Sequence, residues 1–448
     1  MPASRPFVTT VDHCCDKQVT GPPLGTLKAC TIPIREKIGP LEGATLTGRS
    51  QKMPTSSKAL LTRRSLLKST LLSGSALAID FAGFPWPALL RPPQKDLFAG
   101  GKQLGTVDFL NEPPVPLEVP EGSELDGRQY TDLSTLQGAD EVTPAEKFYI
   151  RTRASELLPD AAPWQVKLGG LVERPVSLSI ESLKKTAKPM GAHLMECAGN
   201  VRQARFGLLS VGTWAGTPVP EILDRVKAKS AATRILVSGF DRYAHESRTS
   251  VPGASWIFTR EQLEKAGAFL ATELNGQLLA RDHGAPVRLV VPGWYGCTCI
   301  KWVDEITFAG DEAESTSQMR EYAGRTAQKG VPELARDFQP AVIEQAAMPV
   351  RVEKWSVAGK IRYRVVGIAW GGTQLVKVLQ IRFNPEEDYV PVDNFHQVKN
   401  DPWTLWTHDW APKAPGTYAI RLAAKEPATP ARRLDSGYYV RSVEITEV

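Results

Sequence analysis

Short apolar stretches separated by turn residues recur along about the last hundred residues, and their regular spacing constrains the fold more than any other feature of the chain. The stretches lie at 360–368, 375–383, 404–407, 417–422 and 438–445. Strands at such spacing are typical of an immunoglobulin-like sandwich, which we predict for residues 350–448. Trp403, Trp406 and Trp410 are expected in its core or at an interface, because large aromatic side chains are mostly buried.

The middle of the chain mixes both kinds of secondary structure. Apolar periodicity predicts strands at 164–168, 234–237 and 287–291 and helices at 220–227 and 260–266. We therefore expect an α+β domain over 141–310 and a connecting segment over 311–349. Eight prolines between residues 79 and 140 predict an irregular arm that wraps the body.

The first 78 residues carry the pattern of an export signal. Arg63 and Arg64 precede a moderately apolar stretch that ends in Ala76-Leu77-Ala78. A charged region, a short apolar region and a small-residue site describe a secretory signal, and the arginine pair is typical of the twin-arginine route. A basic helix start is the alternative. The pattern predicts a periplasmic or otherwise exported protein. Because this route carries folded proteins, a cofactor can be inserted in the cytoplasm before export.

The basic charge of the chain lies in this leader. Residues 1–78 hold eleven Lys and Arg against four Asp and Glu, a net charge of +7, which leaves about −2 of the total +5 for the other residues. The charge therefore does not indicate a nucleic-acid partner. No apolar run reaches the ~18 residues that a membrane span requires, so we expect no span in the mature protein. Since residues 1–52 show no periodicity, Met53 is the expected start.

The six cysteines are too few and too unevenly spaced to indicate a disulfide framework. Cys297-Thr298-Cys299 could bind zinc, but no second C-x-C or H-x-H pair accompanies it. The chain has no C-x-x-C-H motif for haem attachment either. Electrons from a redox reaction would therefore pass to another protein.

Cys197 ends an apolar run and is followed by a Gly-Asn turn and by Arg202 and Arg205. Nearby cations and an open backbone turn favour the thiolate, which is the form that binds metal. Free cysteine is also among the most buried residue types, so Cys197 taken alone is equally compatible with a small hydrophobic residue of the core.

Further motifs follow Cys197-Ala198-Gly199-Asn200 along the chain. They are Asn275-Gly276, Asp282-His283-Gly284-Ala285-Pro286-Val287-Arg288, Val291-Pro292-Gly293 and Lys301-Trp302. Their order and spacing resemble the molybdopterin-binding core of the sulfite oxidase family, from about Phe148 to Tyr322 and more weakly to the C-terminus. The resemblance implies a molybdenum–molybdopterin cofactor with Cys197 as the molybdenum ligand, and a homodimer formed through the C-terminal domain.

The resemblance also implies residues that hold the pterin and its phosphate, for which Arg, Lys and backbone N–H groups are the natural donors. These residues are His283, Arg288, Lys301, Asp241, Tyr149 and Arg153. Each of the first three could, taken alone, be an ordinary loop or surface residue. The family's usual Arg-Asn-His is here Arg151-Thr152-Arg153.

Three residues are expected at the substrate. Arg151 and Arg202 correspond to arginines that surround the oxyanion in sulfite-oxidising members, and guanidinium forks suit such anions. Tyr322 matches a tyrosine that donates a hydrogen bond to substrate oxygen, with plain packing as its alternative. The sequence departs from the family pattern in two ways at this pocket. The segment 197–214 is shorter than in typical sulfite oxidases, and the family's third pocket arginine aligns only loosely with 431–434.

The resemblance implies oxo transfer to a small oxyanion, with sulfite as the expected substrate and an external acceptor such as a c-type cytochrome. Reduction of an S-oxide, an N-oxide or nitrate would use the same ligands, and the sequence does not separate the two directions. A non-catalytic secreted binding protein on the same scaffold is the alternative from a different class.

Overall fold

The computed structural model describes residues 98–138, 142–153, 158, 163–240, 253–426 and 431–448. All of them belong to one compact unit, residues 90–448. The predicted leader, with Met53 and the arginine pair, and the predicted pterin contact Asp241 lie outside the described residues.

The described part is mostly sheet. Its strands are β1 (Lys102–Val107), β2 (Glu124–Gln129), β3 (Ile150–Arg153), β4 (Gln165–Gly170), β5 (Val176–Ser179), β6 (Lys188–Glu196), β7 (Leu209–Pro218), β8 (Arg234–Gly239), β9 (Ser255–Phe258), β10 (Phe269–Leu274), β11 (Gln277–Leu278), β12 (Arg288–Val290), β13 (Val303–Ala309), β14 (Ala346–Val357), β15 (Lys360–Trp370), β16 (Val378–Arg382), β17 (Val390–Pro391), β18 (Thr404–Trp410), β19 (Gly416–Glu426) and β20 (Arg441–Ile445). Its α-helices are α1 (Ile180–Thr186), α2 (Val219–Leu223), α3 (Arg260–Ala266), α4 (Ser317–Tyr322) and α5 (Arg432–Asp435).

Two five-stranded sheets form the middle of the molecule. One has the order β5-β4-β13-β8-β9, with β4 and β13 parallel. The other has the order β11-β10-β7-β6, with β12 paired to β10. Strands β7 and β10 are buried along most of their length, as expected for strands covered on both faces. The sheets and short helices agree with the α+β character predicted for this region.

Helix α3 has the bounds that the sequence predicts. Thr259 and Gln262 form a reciprocal capping box at its start, and Gly267 ends it with a φ of 66°. Both signals are local, because a capping box satisfies the first N–H groups and glycine adopts the left-handed conformation without steric cost.

Two four-stranded sheets form the C-terminal part, with the orders β1-β14-β15-β18 and β17-β16-β19-β20. Phe383 stacks on Trp410 with ring centroids 4.2 Å apart, and Trp410 contacts Tyr418 edge to face at 4.9 Å. These rings join the two sheets. Trp403 and Trp406 are each only 1% exposed, so the prediction that they fill the core is confirmed. The immunoglobulin-like identity of the pair of sheets stays a prediction.

The structure differs from the sequence analysis in the arm. Strands β1 and β2 lie within residues 79–140, which the prolines predicted to be irregular. Strand β1 is exposed along nearly its whole length and is an edge strand, so it lacks the alternating apolar pattern that marks a strand in sequence. Its structure comes from pairing with β14, a strand that begins at Ala346 and crosses the predicted boundary at residue 350.

Within the residues that the structure covers, no helix has the length and apolar character needed to cross a membrane.

Candidate active site

The loop that follows β6 holds Cys197. The backbone N–H of Cys197 donates to the Leu208 carbonyl at 3.0 Å, and the N–H of Gly199 donates to Cys197 Sγ at 3.3 Å. Asn200 is fully buried and accepts from the N–H of Leu208 through Oδ1 at 3.1 Å. The loop is thus closed by its own hydrogen bonds, which fix the sulfur at the end of the strand.

The C-terminal segment 431–440 holds the same loop from outside. Arg433 Nη2 donates to the Ala198 carbonyl at 2.7 Å, and Tyr438 Oη donates to the Asn200 carbonyl at 2.6 Å. Arg202 Nη2 donates to the Val440 carbonyl at 2.6 Å. The C-terminal part therefore contributes to the position of Cys197 in addition to any role in dimerisation.

A cavity opens beside Cys197 and collects most of the predicted site residues. Those that line it are Tyr149, Arg151, Cys197, His283, Arg288, Lys301 and Tyr322. Arg202 and Arg153 do not line it. Since Arg202 turns toward Val440, its predicted role at the substrate stays a prediction.

His283 is buried at one wall of the cavity. Its Nε2 lies 3.1 Å from the Phe148 carbonyl, an acceptor, so Nε2 carries the proton. Burial, opposed by this hydrogen bond and supported by the nearby Arg288, lowers the pKa of His283 to about 4. The ring is therefore neutral at neutral pH, with Nδ1 left as an acceptor.

Arg288 is a buried cation, only 5% exposed. Its Nη1 donates to the His283 carbonyl at 3.0 Å and its Nη2 to the Cys299 carbonyl at 3.1 Å. Among the described residues, its buried Nε has no hydrogen-bond partner. A buried donor without an acceptor costs free energy, so this side of the guanidinium is suited to an anionic ligand.

Lys301 supplies a second cation. Its Nζ donates to the carbonyl groups of Thr152 at 2.7 Å and Asp282 at 2.9 Å, and it lies 4.3 Å from the centroid of the Trp302 ring. Thr152 has a φ of 82°, a conformation that β-branched residues rarely adopt. The Lys301 hydrogen bond helps to hold this backbone.

Arg153 does not line the cavity but contacts Asp282, which does. Its Nε lies 3.2 Å from Asp282 Oδ2, and its Nη1 donates to the Gly122 carbonyl at 2.8 Å. Asp282 itself lines the cavity. The structure thus places Arg153 behind the wall, and its role as a pterin contact stays a prediction.

Tyr322 is the last residue of α4, a helix that Thr316 caps by accepting from the N–H of Met319. Burial, and then the neighbouring Cys197, raise the pKa of Tyr322 to about 12. The phenol is therefore protonated at neutral pH and can donate a hydrogen bond into the cavity.

Several residues at this site lie outside the sequence motifs. Gln318, four residues before Tyr322 on α4, also lines the cavity and donates to the Cys297 carbonyl, and its helical spacing from Tyr322 was the available signal. Arg325 lies 5.3 Å from the centroid of the Tyr322 ring, and no motif marked it. Cys297 lines the cavity as well.

Comparison with known proteins agrees with this geometry. Residues 155–317 match the family model described as the oxidoreductase molybdopterin binding domain. Over these residues the chain is similar to molybdopterin-binding oxidoreductases. The matched range includes Cys197, His283, Arg288 and Lys301, while Arg151 and Tyr322 lie just outside it.

Relatives of the matched region include two kinds of enzyme. The chain is 28% identical to the mitochondrial sulfite oxidase of Rattus norvegicus over 288 residues, which is 59% of this chain and 52% of that protein. It is 26% identical to the nitrate reductase [NADPH] of Beauveria bassiana over 266 residues, which is 50% of this chain and 29% of that protein. The chain thus spans about half the length of the sulfite oxidase that it matches.

A solved structure shows the same fold. The sulfane dehydrogenase SoxCD from Paracoccus pantotrophus has a TM-score of 0.53 and 18% sequence identity, covering 80% of this chain and 86% of that chain.

The residues of the cavity fit a molybdenum–molybdopterin cofactor, which the domain match implies. Arg288 and Lys301 are cations suited to a phosphate, and the orphaned Nε of Arg288 is a donor without an acceptor. Cys197 offers a soft sulfur ligand at the same cavity. Cationic and sulfur donors side by side are what a phosphorylated cofactor with a thiophilic metal requires.

Proposed function

We propose that the protein is an exported molybdopterin-dependent oxidoreductase that transfers an oxygen atom to a small oxyanion, with sulfite as the substrate. Electrons pass to an external acceptor such as a c-type cytochrome. The observation that carries the proposal is that Cys197, the cation Arg151 and the protonated Tyr322 line the same cavity.

In this proposal, different residues of the cavity hold different parts of the cofactor. Cys197 would hold molybdenum, while Arg288, Lys301 and His283 would hold the pterin and its phosphate. When bound, the cofactor supplies a metal centre that exchanges an oxygen atom and two electrons with a substrate. The protein contributes the binding, the orientation and the electrostatic field.

Two residues of the chain act on the substrate. Arg151 attracts and orients an oxyanion, because a guanidinium presents paired donors that match anionic oxygens. Tyr322 donates a hydrogen bond to a substrate oxygen on which charge develops, and its raised pKa keeps the proton on the phenol throughout. Since Tyr322 is only 8% exposed, little water competes for this contact.

Reduction of nitrate, an S-oxide or an N-oxide is the second candidate, favoured by the similarity to nitrate reductase. The same residues would serve the reverse direction, because an oxyanion or oxide binds at the same cation. The direction of oxygen transfer then depends on the potentials of substrate and electron partner.

A substrate panel tests the choice between these directions. We expect purified, molybdenum-loaded protein to reduce cytochrome c when sulfite is added. Cys197→Ser should abolish this activity and keep the fold, because a hydroxyl is a poor substitute for a thiolate on molybdenum. Oxidation of reduced viologen by nitrate, an S-oxide or an N-oxide, without any reaction of sulfite, would replace the proposal by the second candidate.

A further inference from the structure

Two arginines face each other on the small sheet beside the cavity. Strands β2 and β3 pair antiparallel, and Arg128 of β2 lies directly opposite Arg151 of β3. Like charges at opposed positions of a sheet are ordinarily destabilising. Strand β2 belongs to the arm for which the sequence indicated no function, so the pairing brings a new cation to the site.

The two guanidinium groups converge on one oxygen atom. Arg128 Nη1 donates to the Leu125 carbonyl at 2.9 Å, and Arg151 Nη1 donates to the same carbonyl at 3.3 Å. Arg128 Nη1 also donates to the Gly127 carbonyl at 2.7 Å. Their shared acceptor couples the positions of the two groups, so the placement of Arg151 depends on Arg128.

The electrostatic environment agrees with this pairing. Burial, and then the charge of Arg151, lower the pKa of Arg128 to about 10, while Tyr130, Cys197 and Asp126 act in the opposite direction. Arg128 therefore remains a cation at neutral pH. Arg151 lines the cavity and Arg128 does not, so Arg128 acts from behind its neighbour.

The strand pairing has a second anchor that does not involve the Arg128 side chain. A Cβ added at Gly127 would lie 2.5 Å from the Cβ of Arg153, so the arm packs directly on the stem of Arg153. Because this close contact holds β2 against β3, substitution of Arg128 should leave the strand pairing in place.

We propose that Arg128 is a positioning residue for the substrate site, which orients Arg151 and adds a second charge that makes the site prefer a doubly charged oxyanion to a singly charged one. The inference rests on the proposed function in one respect, namely that an oxyanion binds at Arg151. Within that function it defines the substrate class, since a dianion gains twice the Coulomb attraction of a monoanion from the added charge.

The test is anion binding rather than turnover. Sulfate and perchlorate, two anions of similar tetrahedral shape and different charge, are titrated calorimetrically into the purified, cofactor-loaded full chain at constant ionic strength. The variants are Arg128→Gln and Arg128→Lys. Arg174→Gln, which removes an exposed arginine in the turn between β4 and β5, is the matched control.

Wild type should bind sulfate more tightly than perchlorate. Because Coulomb energy scales with ligand charge, Arg128→Gln should weaken perchlorate about threefold and sulfate about tenfold. Arg128→Lys should weaken both anions by a similar factor and retain the preference for sulfate, since lysine keeps the charge and loses the planar fork. Arg174→Gln should bind both anions like wild type.

Two results would overturn the inference. One is sulfate binding by Arg128→Gln within about twofold of wild type, and the other is an equal loss for both anions. If Arg128→Gln does not fold, an Arg128→Lys variant that has lost the sulfate preference would overturn it as well. The protein could also bind sulfate in a way that depends on Arg128 and yet turn over neither sulfite nor an oxide. That result would support this inference and refute only the proposed function.

Discussion

At the scale of single residues, Thr152 stores strain beside the site. Its φ of 82° is unfavourable for a β-branched residue, whereas asparagine adopts positive φ more readily. We expect Thr152→Asn to raise the free energy of unfolding by about 1 kcal/mol, because the backbone conformation stays and its cost falls. Denaturant unfolding measures the change. A loss of stability would show that the threonine side chain makes a compensating contact.

His283 makes a separate prediction about acid stability. Its folded pKa of about 4 lies below the unfolded value near 6.5, so the unfolded chain binds the extra proton first as the pH falls. Stability is therefore lost between pH 6.5 and about 4, by about 2 kcal/mol at pH 5 for this residue. His283→Gln, which cannot titrate, should remove that part of the loss. Urea unfolding of wild type and His283→Gln at pH 7 and pH 5 measures the loss of stability. If the variant loses as much stability as wild type, His283 is not the group responsible.

At the scale of elements, the C-terminal segment 431–440 supports the cysteine loop from outside. Tyr438→Phe deletes the hydrogen bond to the Asn200 carbonyl, so we expect a loss of about 1 kcal/mol of stability and a lower retained molybdenum content. Tyr389→Phe, next to the edge strand β17, is the matched control and should change neither quantity. Equal behaviour of the two variants would show that the segment does not support the site.

Local signals decided which elements could be predicted. Helix α3 carries its own cap and stop, and its bounds were predicted to the residue. Strands β1 and β2 could not be predicted, because their pairing comes from distant segments and their sequences show no apolar alternation. The motifs singled out His283, Arg288 and Lys301, and the structure places all three at one cavity, while their role in pterin binding stays a prediction.

The directions of the side chains at the site could not be predicted from the sequence. Arg202 follows the cysteine motif at the expected spacing, yet its guanidinium turns to the Val440 carbonyl because the C-terminal segment lies there. Arg433, in the region where a third arginine aligned only loosely, contacts the Ala198 carbonyl beside Cys197. Both outcomes depend on contacts across more than two hundred residues of sequence.

At the scale of the whole molecule, the basic residues 1–78, which we predict to be an export leader, and the near-neutral remainder are expected to serve different purposes. Replacing Arg63 and Arg64 by lysine should leave the protein in the cytoplasm, because the export receptor reads the arginine pair rather than charge alone. Cell fractionation measures the distribution, with Lys68→Arg as the control that keeps the pair. Undiminished export of the double lysine variant would point to another route.

The central claim is that the cavity beside Cys197 holds a molybdenum–molybdopterin cofactor. The most direct measurement is the molybdenum content of the purified protein made in a host that synthesises the pterin. We predict about one molybdenum atom per chain, because the cavity offers the sulfur ligand and the cations that the cofactor requires. A content below ~0.1 per chain would contradict the account and favour a non-catalytic binding protein on the same fold.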